Sequence, residues 1–438
     1  MDSAGHARRR RPISLVLTWV LLVPLLFFVV KGSFSFDHRG QNNAGWHGYG
    51  RLMDTGEDSA YFAVQQALIY LTLIAVMRES ALRLFLKLRS YPILMALPIW
   101  AVASALWSQS PARTIVFSSF IVISSIFALY LLERYPGEEL IRLLLFVGVV
   151  ALLLSYALVG LMPSAGIDYT SDAGWGWQGL FSAKNQCGIV AIYLGLTPLF
   201  LSGLSRTYRA AAYAYMAAAL ILVIMSQSRT AWLVLASSLV FLAILELYRR
   251  FRRLERLLLW VAVVAFVAMT AWIALSYAPL LAVSLGKSAT LSGRTEIWDA
   301  ILPVLWKRPA LGWGYRAFFI GLKGESGALA LSTGFLSLGN AENAVLQVWL
   351  EVGVIGVLLM AASLLSACRN GAYCMRRNPS RYLKWCVTIV FLNALTVIDG
   401  DKFMFANTIE WLLYVIAYVS LQDQARGLRA EQTRGGIA

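Results

Sequence analysis

Several charged and amide side chains stand at the ends of long apolar segments. Charge near hydrocarbon costs roughly 2.5–3.5 kcal/mol on insertion scales, so residues that are kept there usually mark a functional site. The candidate residues at these boundaries are Lys184, Asn185, Arg229, Arg294, Glu342 and Asn343. Their types point to chemistry on an anionic substrate, with one carboxylate available to accept a proton.

The two arginines are suited to bind phosphate. A guanidinium group is a planar fork that matches phosphate oxygens in pairs, and a helix N-terminus adds backbone donors. Arg294 follows Gly293 at the start of a predicted helix, and Arg229 lies in the polar run 226–230. Together they could bracket a diphosphate. The alternative is that each arginine extends to lipid headgroups or pairs with a nearby acid.

Glu342 directly precedes the late apolar segment that begins at Asn343. Partial burial there would suit Glu342 to accept a proton from a hydroxyl. The alternative is an acid that is favoured at a helix N-terminus by the helix dipole alone. Two further acids, Glu351 and Glu410, lie within apolar segments. One interpretation of this pair is a proton path, but structural hydrogen bonds are favoured because no basic residue lies at a comparable depth.

Asp399 and Asp401 have the spacing of two carboxylates that hold a divalent ion. Lys402 follows directly and would oppose the cation, so we interpret the segment as a polar turn and predict no metal site.

The elements that must position these residues are membrane helices. The chain has 438 residues, of which 59% are hydrophobic and only 14% are charged, so a soluble globular protein is excluded. A crossing needs about 17 to 25 mostly apolar residues, and twelve segments qualify. They run approximately over Ile13–Val30, Ala60–Met77, Tyr91–Trp107, Thr114–Leu132, Leu140–Leu161, Gln186–Leu204, Ala210–Ser226, Thr230–Tyr248, Leu257–Tyr277, Asn343–Ala367, Trp385–Ile398 and Phe405–Leu421.

The distribution of charge sets the predicted orientation. The formal net charge is +15, but 25 of the 38 Lys and Arg fall in alternate loops and in the two terminal segments. This is the positive-inside pattern. It predicts an uncleaved first span, both termini in the cytoplasm and an active face on the opposite side, and it explains the basic charge without a nucleic-acid partner.

The longest loop on the predicted outer face, residues 278–341, lies between the ninth and tenth segments. We predict one integral membrane domain over residues 1–438 with this loop as an insertion. A helix from Arg294 would lie along the membrane, with Ile297, Trp298, Ile301, Leu302 and Leu305 on its apolar face. A Gly-rich turn, 309–315, follows it, and the Gly/Ser-rich stretch Gly321–Gly339 is expected to be mobile.

Four motifs in this order resemble the O-antigen ligase and polysaccharide polymerase superfamily, which includes exopolysaccharide polymerases. They are GLFSAKNQCG before the sixth segment, SQSRTAW, LSGRTEIWDAI with PALGWGY behind it, and ENAVLQVWLEVGVIG. The resemblance covers roughly residues 100 to 370.

The resemblance implies an all-α polytopic protein of the bacterial inner membrane, with about twelve helices and a GT-C-like architecture. It implies transfer of a glycan from undecaprenyl diphosphate to an acceptor sugar hydroxyl on the periplasmic face, without a metal or another cofactor. Arg229 and Arg294 would hold the departing diphosphate, with Lys184, Asn185, Arg316 and Asn343 in substrate binding.

One position departs from the family pattern. Where the ligases commonly carry a histidine before the asparagine of the late motif, this chain has Glu342. Either Glu342 is the base, or the acceptor differs, or the activity has changed; the departure favours a polymerase over a lipid A core ligase. A chain-length regulator is left open as a partner. The rival interpretation is a polysaccharide transporter or a flippase of lipid-linked glycans, which also fits twelve spans.

Overall fold

The computed structural model describes residues 15–32, 60–169, 175–247, 294–321, 323–333, 339–397 and 403–435. These residues are almost entirely helical. The helices are α1 Leu15–Val29, α2 Ala60–Met77, α3 Ala81–Leu88, α4 Pro92–Ala103, α5 Pro111–Arg134, α6 Glu138–Leu161, α7 Lys184–Gly195, α8 Arg206–Met225, α9 Arg229–Leu247, α10 Arg294–Leu305, α11 Gly324–Thr333, α12 Ala344–Arg377, α13 Arg381–Thr396 and α14 Ile409–Gly435.

Short elements complete the described fold. Residues Pro163–Gly166 form one helical turn, and Ser104–Leu106 and Thr197–Phe200 form 3-10 turns. Two strands of two residues each, β1 Ile167–Asp168 and β2 Gly176–Trp177, pair antiparallel with Ile167 opposite Trp177. The sequence did not predict this small hairpin.

The protein is an all-α membrane protein. Within the described ranges, five helices are long and apolar enough to cross a bilayer: α5, α6, α8, α9 up to Glu246, and α12. A sixth crossing results if α3 and α4, which are bent by 107° relative to each other, form one broken span. Eleven of the twelve predicted segments coincide with helices, and Leu257–Tyr277 lies outside the described residues. The total of twelve crossings therefore stays a prediction.

Two predicted segments are interrupted well inside their apolar runs. The segment Gln186–Leu204 contains α7 and then a 3-10 turn, because Pro198 has no N–H to continue the helix. The late segment Asn343–Ala367 lies in α12, which is broken at Gly353. Both breaks leave helix ends inside the bundle.

The helix α14 is the centre of the bundle. Every residue from Phe403 to Val419 is buried, including the non-helical approach to α14. Neighbouring helices bind it through polar side chains as well as packing: Ser363 with Tyr414, Ser366 with Tyr418, and Trp411 donating to Ser125. The positions that face lipid in the outer helices are instead exposed apolar residues, as a bilayer requires.

The bundle has two ends that differ in chemistry. One end, which we call the basic end, is formed by segment 78–91 with α3, by connections 133–138, 201–206 and 377–381, and by the last part of α14, 422–434. These parts contact one another through Arg83–Glu133, Tyr91–Asp423, Ser202–Glu138 and Arg381–Leu201. We call the site end the opposite one, formed by connections 29–32, 104–114, 175–184, 226–229, 309–316, 339–343 and 403–408.

The loop insertion forms a small second core on α12. Ile301, Val304 and Leu305 of α10 are buried against Trp313, Phe318 and Leu350. The predicted apolar face of α10 was therefore partly wrong: Val304 points inward, whereas Leu302 is 41% exposed. Part of the stretch Gly321–Gly339 forms α11, and the expected mobility of this stretch stays a prediction. Leu329 packs into the second core, and Lys307 pairs with Glu325 at 2.7 Å.

Candidate functional site

The Gly-rich segment 309–316 docks on the break in α12. A broken helix inside a membrane protein exposes backbone groups that must find new partners. Here the Leu350 and Glu351 carbonyls accept from the N–H groups of Trp313 and Gly314, each at 2.8 Å, and Val354 donates to the Pro309 carbonyl at 2.8 Å. The Trp100 indole donates to the Val352 carbonyl at 2.8 Å. The break in α12 and the segment 309–316 therefore satisfy each other's backbone hydrogen-bonding groups.

Glycine makes this docking feasible. Gly353 has φ 73° and ψ −179°, a conformation that is essentially restricted to glycine. A Cβ at Gly353 would collide with the Ala310 carbonyl, and one at Gly314 would collide with the Ser108 side chain. The two backbones therefore approach more closely than any larger residue would allow, and the residue after this turn, Arg316, is carried into the bundle.

Arg316 meets a buried carboxylate at the break. Its Nη1 lies 4.0 Å from Glu351 Oε1, and the two side chains are only 9% and 6% exposed. Gln347, one turn before Glu351, donates from Nε2 to the same oxygen at 2.6 Å. The three side chains line a small cleft together with the segment 403–405.

This contact corrects the interpretation of Glu351. The sequence pattern places no basic residue at the depth of Glu351 and therefore favours a simple structural hydrogen bond. The partner comes instead from a loop that is distant in sequence, because the break in α12 admits Arg316 between helices. Glu410 is also buried, at 2% exposure, at the start of α14.

Tyr315 fixes the turn that carries Arg316. Its hydroxyl donates to the Met404 carbonyl at 2.5 Å, and its backbone N–H donates to Ser104. Burial, followed by the nearby Glu351 carboxylate, raises the pKa of Tyr315 well above its ordinary value. The phenol therefore stays protonated and remains a hydrogen-bond donor across the physiological pH range.

Glu342 lies in a short connection that is held from both sides. The N–H of Ala341 donates to Gln347 Oε1 at 2.9 Å, and the carbonyl of Ala341 accepts from the Trp298 indole at 3.0 Å. Glu342 itself is half-buried and has φ 49°, and its N–H donates to Asn340 at 2.8 Å. A non-glycine residue in this region is strained and persists only where its surroundings fix it.

The helix α10 begins at Arg294, as the sequence predicted. The side chain of Arg294 lies outside the described residues, but Trp298, one turn later, donates to the carbonyl of Ala341. The start of α10 is therefore tied to the connection that carries Glu342. Asp399 and Asp401 also lie outside the described residues.

Asn343 is the N-cap of α12. Its side-chain oxygen accepts from the N–H groups of Val345 at 2.9 Å and Leu346 at 3.1 Å. This is the strongest single-residue signal for a helix start. The observed contacts of the side-chain oxygen are therefore structural, and its part in substrate binding stays a prediction.

Lys184 and Arg229 lie at the site end near the small hairpin. Lys184 is buried at the start of α7, whereas Asn185 is exposed. A Cβ at Gly176 would contact both the Lys184 side chain and the Ser226 carbonyl, so β2 packs where these two segments meet. Arg229 is exposed at the start of α9, directly after a turn in which Gln227 has φ 50°.

The contacts thus define two groups of predicted site residues. The first joins Arg316, through Glu351 and Gln347, with the connection that holds Glu342 and with α10. The second joins Lys184 with the turn before Arg229.

Comparison with known proteins matches this part of the chain. A family model described as O-Antigen ligase matches residues 214–361. Over 288 residues the chain is 27% identical to the Exopolysaccharide production protein ExoQ of Rhizobium meliloti (strain 1021). The alignment covers 64% of this chain and 64% of ExoQ, so it spans just under two thirds of the relative. The predicted resemblance to the O-antigen ligase and polymerase superfamily is confirmed.

The region that matches the O-antigen ligase model contains most of the site. It begins within α8, includes Arg229, Arg294, Arg316 and Glu342, and ends in α12 beyond the break at Gly353. Lys184 and Asn185 precede it. The match therefore covers both arginines and the glutamate that the sequence assigned to the chemistry.

Sequence reasoning missed three residues that surround Arg316. Arg113 donates from Nε to the Arg316 carbonyl at 2.8 Å. Lys31 lies 4.8 Å from the centroid of the Phe405 ring, which also contacts Arg316. Gln347 links Glu351 to Ala341. Lys31 and Arg113 do stand at ends of predicted segments, so their position was a usable signal; nothing in the sequence pointed to Gln347.

Proposed function

We propose that this protein is a membrane glycosyltransferase that moves a glycan from undecaprenyl diphosphate to an acceptor sugar hydroxyl. The observation that carries the proposal is the match to the O-antigen ligase family over residues 214–361, which contains Arg229, Arg294 and Glu342. ExoQ is named for exopolysaccharide production, which supports polymerisation of a surface polysaccharide ahead of ligation.

The basic loops support an orientation in the inner membrane with the basic end in the cytoplasm and the site end in the periplasm. The lipid-linked donor would then approach the site end from the outer leaflet.

In the proposed reaction, the anomeric carbon of the donor glycan loses its bond to the diphosphate and forms a bond to the acceptor oxygen. Glu342 accepts the proton from the acceptor hydroxyl. Arg229 and Arg294 stabilise the negative charge that grows on the departing diphosphate, the part that a metal plays in other transferases. Lys184, Asn185, Arg316 and Asn343 contribute to substrate binding.

The strained backbone at Glu342 supports its assignment as the base. Residues held in the left-handed region at a cost of about 1–3 kcal/mol cluster at active sites. The connection is also tied to α10 through Trp298 and to α12 through Gln347. Such fixed geometry favours a group that must meet a hydroxyl in one orientation.

The decisive test uses purified protein in lipid nanodiscs with a synthetic undecaprenyl-diphosphate glycan. We expect release of undecaprenyl diphosphate together with a longer or transferred glycan. The variants Arg294→Ala and Glu342→Gln should each lower the rate about 100-fold or more, as the loss of a charge-stabilising or proton-accepting group does. Arg308→Ala, in the same loop insertion, is the matched control.

A different product pattern would reject the proposal. A transporter or flippase would move the lipid-linked glycan between leaflets of a proteoliposome without releasing undecaprenyl diphosphate. Full transfer by Arg294→Ala would remove that arginine from the chemistry. In cells that lack the gene, single lipid-linked units should accumulate for a polymerase, and intact chains for a ligase.

A further inference from the structure

The short helix α3 lies across the basic end of the bundle and presents three sides of different chemistry. We propose that its outer side is a binding site for an anionic phospholipid. The acyl chains of the lipid contact Leu82, Phe85 and Leu86, and its phosphate contacts Arg78 and Arg89. This interaction surface lies at the opposite end of the bundle from the site and is independent of the proposed transfer reaction.

The chain turns sharply between α3 and α4. Pro92, the first residue of α4, has no N–H to continue a helix, and it forces the residue before it out of the helical region. Tyr91 accordingly has φ −123° and ψ 63°, and α3 is bent by 107° relative to α4. Because α4 packs alongside α5 and α12, α3 runs nearly at right angles to these helices, along the end of the bundle.

Contacts with α14 hold this bend in place. The Tyr91 hydroxyl donates to Asp423 at 2.8 Å, and the Arg426 guanidinium carbon lies 5.4 Å from the centroid of the Tyr91 ring. Arg426 also donates to the Ser90 carbonyl. Since α14 is the central helix of the bundle, these contacts fix α3 in its position across the basic end.

Two of the three sides of α3 are occupied by the protein itself. Residues three or four positions apart share one side of a helix. Leu84 and Leu88 form the inner side and are buried in the main apolar core. Arg83 and Lys87 form the second side, and both contact the Glu133 carboxylate, at 2.7 Å and 3.4 Å. The positive charge of the second side is therefore shared with an acid of α5.

The outer side of α3 is an apolar stripe with an arginine beyond each end. Leu82, Phe85 and Leu86 follow one another at helical spacing, and all three are exposed. Arg89 continues in the helical conformation, with φ −58° and ψ −23°, so it extends the same side by one turn. Arg78 lies four positions before Leu82, in the turn that leads into α3.

The two outer arginines keep their charge for a partner outside the protein. Arg78 and Arg89 are exposed, and within the part of the chain that the structure describes neither makes an ion pair or a side-chain hydrogen bond. Segment 78–91 has four cations and a single acid, Glu79, and the nearby Glu133 already contacts both cations of the second side. The outer side is therefore positively charged and suited to a negatively charged partner.

A phospholipid fits this combination better than a protein does. A helix at the membrane surface places Leu and Phe among the acyl chains and Arg among the headgroups, where its guanidinium binds phosphate oxygens in pairs. A second copy of the chain is a poor fit, because three apolar side chains offer far less than the roughly 800 Å² per partner that a stable interface buries. The two arginines select an anionic lipid, since the ammonium group of a zwitterionic lipid already neutralises its phosphate.

The experiment titrates the full chain in detergent with dioleoyl phosphatidylglycerol and, separately, with dioleoyl phosphatidylcholine. Native mass spectrometry measures the apparent affinity of the first bound molecule of each lipid. The test variant is the double variant Arg78→Gln with Arg89→Gln. Both side chains are exposed and outside the packed core, so the variant should fold like the unaltered protein.

The double variant Arg206→Gln with Arg369→Gln is the matched control. Arg206 starts α8, and Arg369 precedes Asn370, which contacts Gln422 of α14, so both lie near the basic end. Both are exposed, and neither makes an ion pair within the described ranges. The control therefore removes the same charge from the same end of the bundle and leaves α3 intact.

We expect the unaltered protein to bind phosphatidylglycerol about 10-fold more tightly than phosphatidylcholine. An arginine near an anionic lipid surface contributes about fivefold in affinity, which corresponds to about 1 kcal/mol. The variant Arg78→Gln with Arg89→Gln should therefore lower the affinity for phosphatidylglycerol about 10-fold or more and leave that for phosphatidylcholine within about twofold. The control variant should bind both lipids as the unaltered protein does.

The variant Phe85→Ser tests the apolar part of the outer side. It should weaken the binding of both lipids alike, by about fivefold, because the acyl chains are common to both.

Three results would overturn the lipid site: equal affinity of the unaltered protein for the two lipids, an equal loss in the control variant, or unchanged binding by Phe85→Ser. In the last case, a dimer in size-exclusion chromatography that Phe85→Ser disrupts would assign the outer side to a second copy of the chain. None of these measurements uses glycan transfer, so failure of the proposed function would leave the lipid site unaffected.

Discussion

The two ends of the bundle differ in the residue types that adopt positive φ in their tight turns. Both ends need tight turns in which one residue adopts the left-handed conformation. At the basic end these residues are the glycines Gly137 and Gly203, for which the conformation carries no steric cost. The site end also has glycines with positive φ, such as Gly314, but among the described residues all five non-glycine residues with positive φ lie there as well: Lys31, Gln227, Arg316, Glu342 and Met404.

Charge is handled in a similar way at both ends. At the basic end, Arg83 and Lys87 pair with Glu133, Lys384 pairs with Glu246, and Arg426 pairs with Asp423 and contacts the Tyr91 ring. At the site end, Lys31, Arg113 and Arg316 rest on aromatic faces, and Arg316 also lies 4.0 Å from Glu351. The difference between the ends therefore lies in the backbone, because the site end keeps particular non-glycine side chains in unfavourable backbone positions.

The largest loss of stability is expected for a substitution at Gly353. The variant Gly353→Ala cannot adopt φ 73° with ψ −179° and would place a methyl group against the Ala310 carbonyl. We expect a loss of stability of about 3 kcal/mol or more, with most of the protein misfolded. Thermal unfolding followed by size-exclusion chromatography in detergent measures it.

Gly160→Ala in α6 is the control for Gly353→Ala. Gly160 has open space around its Cα, so alanine should leave stability unchanged or raise it by up to about 1 kcal/mol. Equal stability of the two variants would show that the break in α12 does not need glycine.

A smaller effect is expected at Gln347. Gln347→Leu removes the acceptor for the Ala341 N–H and the donor to Glu351, both of which are buried. We expect a loss of about 2–3 kcal/mol, because a buried polar group without a partner costs about 1–3 kcal/mol. The shift of the chemical-denaturation midpoint measures this loss.

The control for Gln347→Leu is Thr388→Val, in the half of α13 nearer the basic end. It also replaces a buried polar residue with an apolar one. Thr388 bonds only within its own helix in the described contacts, at 2.8 Å to the Lys384 carbonyl. It should cost less than about 1 kcal/mol. A larger loss in Thr388→Val than in Gln347→Leu would contradict the importance assigned to the Ala341 connection.

A still smaller change in stability is expected when a left-handed glutamine of the site end is replaced by glycine, or a left-handed glycine of the basic end by alanine. Gln227→Gly should raise stability by up to about 1 kcal/mol, because glycine removes the steric cost at φ 50°. Gly203→Ala should lower stability by a similar amount, although it has open space around it. Calorimetric unfolding measures both. Destabilisation by Gln227→Gly would mean that the site-end residues are not strained.

The smallest effect is expected for the ion pairs of the basic end. Arg83→Met breaks the 2.7 Å contact with Glu133, but the arginine side chain is 55% exposed. We expect a change below about 1 kcal/mol that shrinks further at high salt. Measurement at two ionic strengths tests it, and a large salt-independent loss would show that this pair has a structural role.

Much of the fold was accessible from the sequence because apolar length and loop charge are local properties. The pattern predicted eleven segments that coincide with helices, and it predicted the start of α10 at Arg294. It did not predict the break at Gly353, because an isolated glycine in an apolar run fits either a continuous helix or a broken one. The docking of segment 309–316, which decides between them, is a contact between distant parts of the chain.

In the candidate site, too, local features could be predicted and long-range contacts could not. Arg229, Arg294 and Glu342 were identifiable as charges at the ends of segments. The partner of Glu351 was not, since Arg316 is 35 positions away and reaches Glu351 only through the break. Gln347 gave no signal, because a lone glutamine in a helix has many structural uses. Burial and long-range pairing, rather than residue type, distinguish these residues.

The burial of α14 has a consequence for biosynthesis. The segment that fills the centre of the bundle, from Phe403 to Val419, is the one that emerges from the ribosome after all the helices that surround it. Until it inserts, α1, α5, α12 and α13 lack the buried helix against which they pack in the folded bundle, so they are held less tightly in the bilayer. A frameshift or nonsense mutation shortly before residue 403 should therefore yield a full complement of outer helices that is cleared by quality-control proteases.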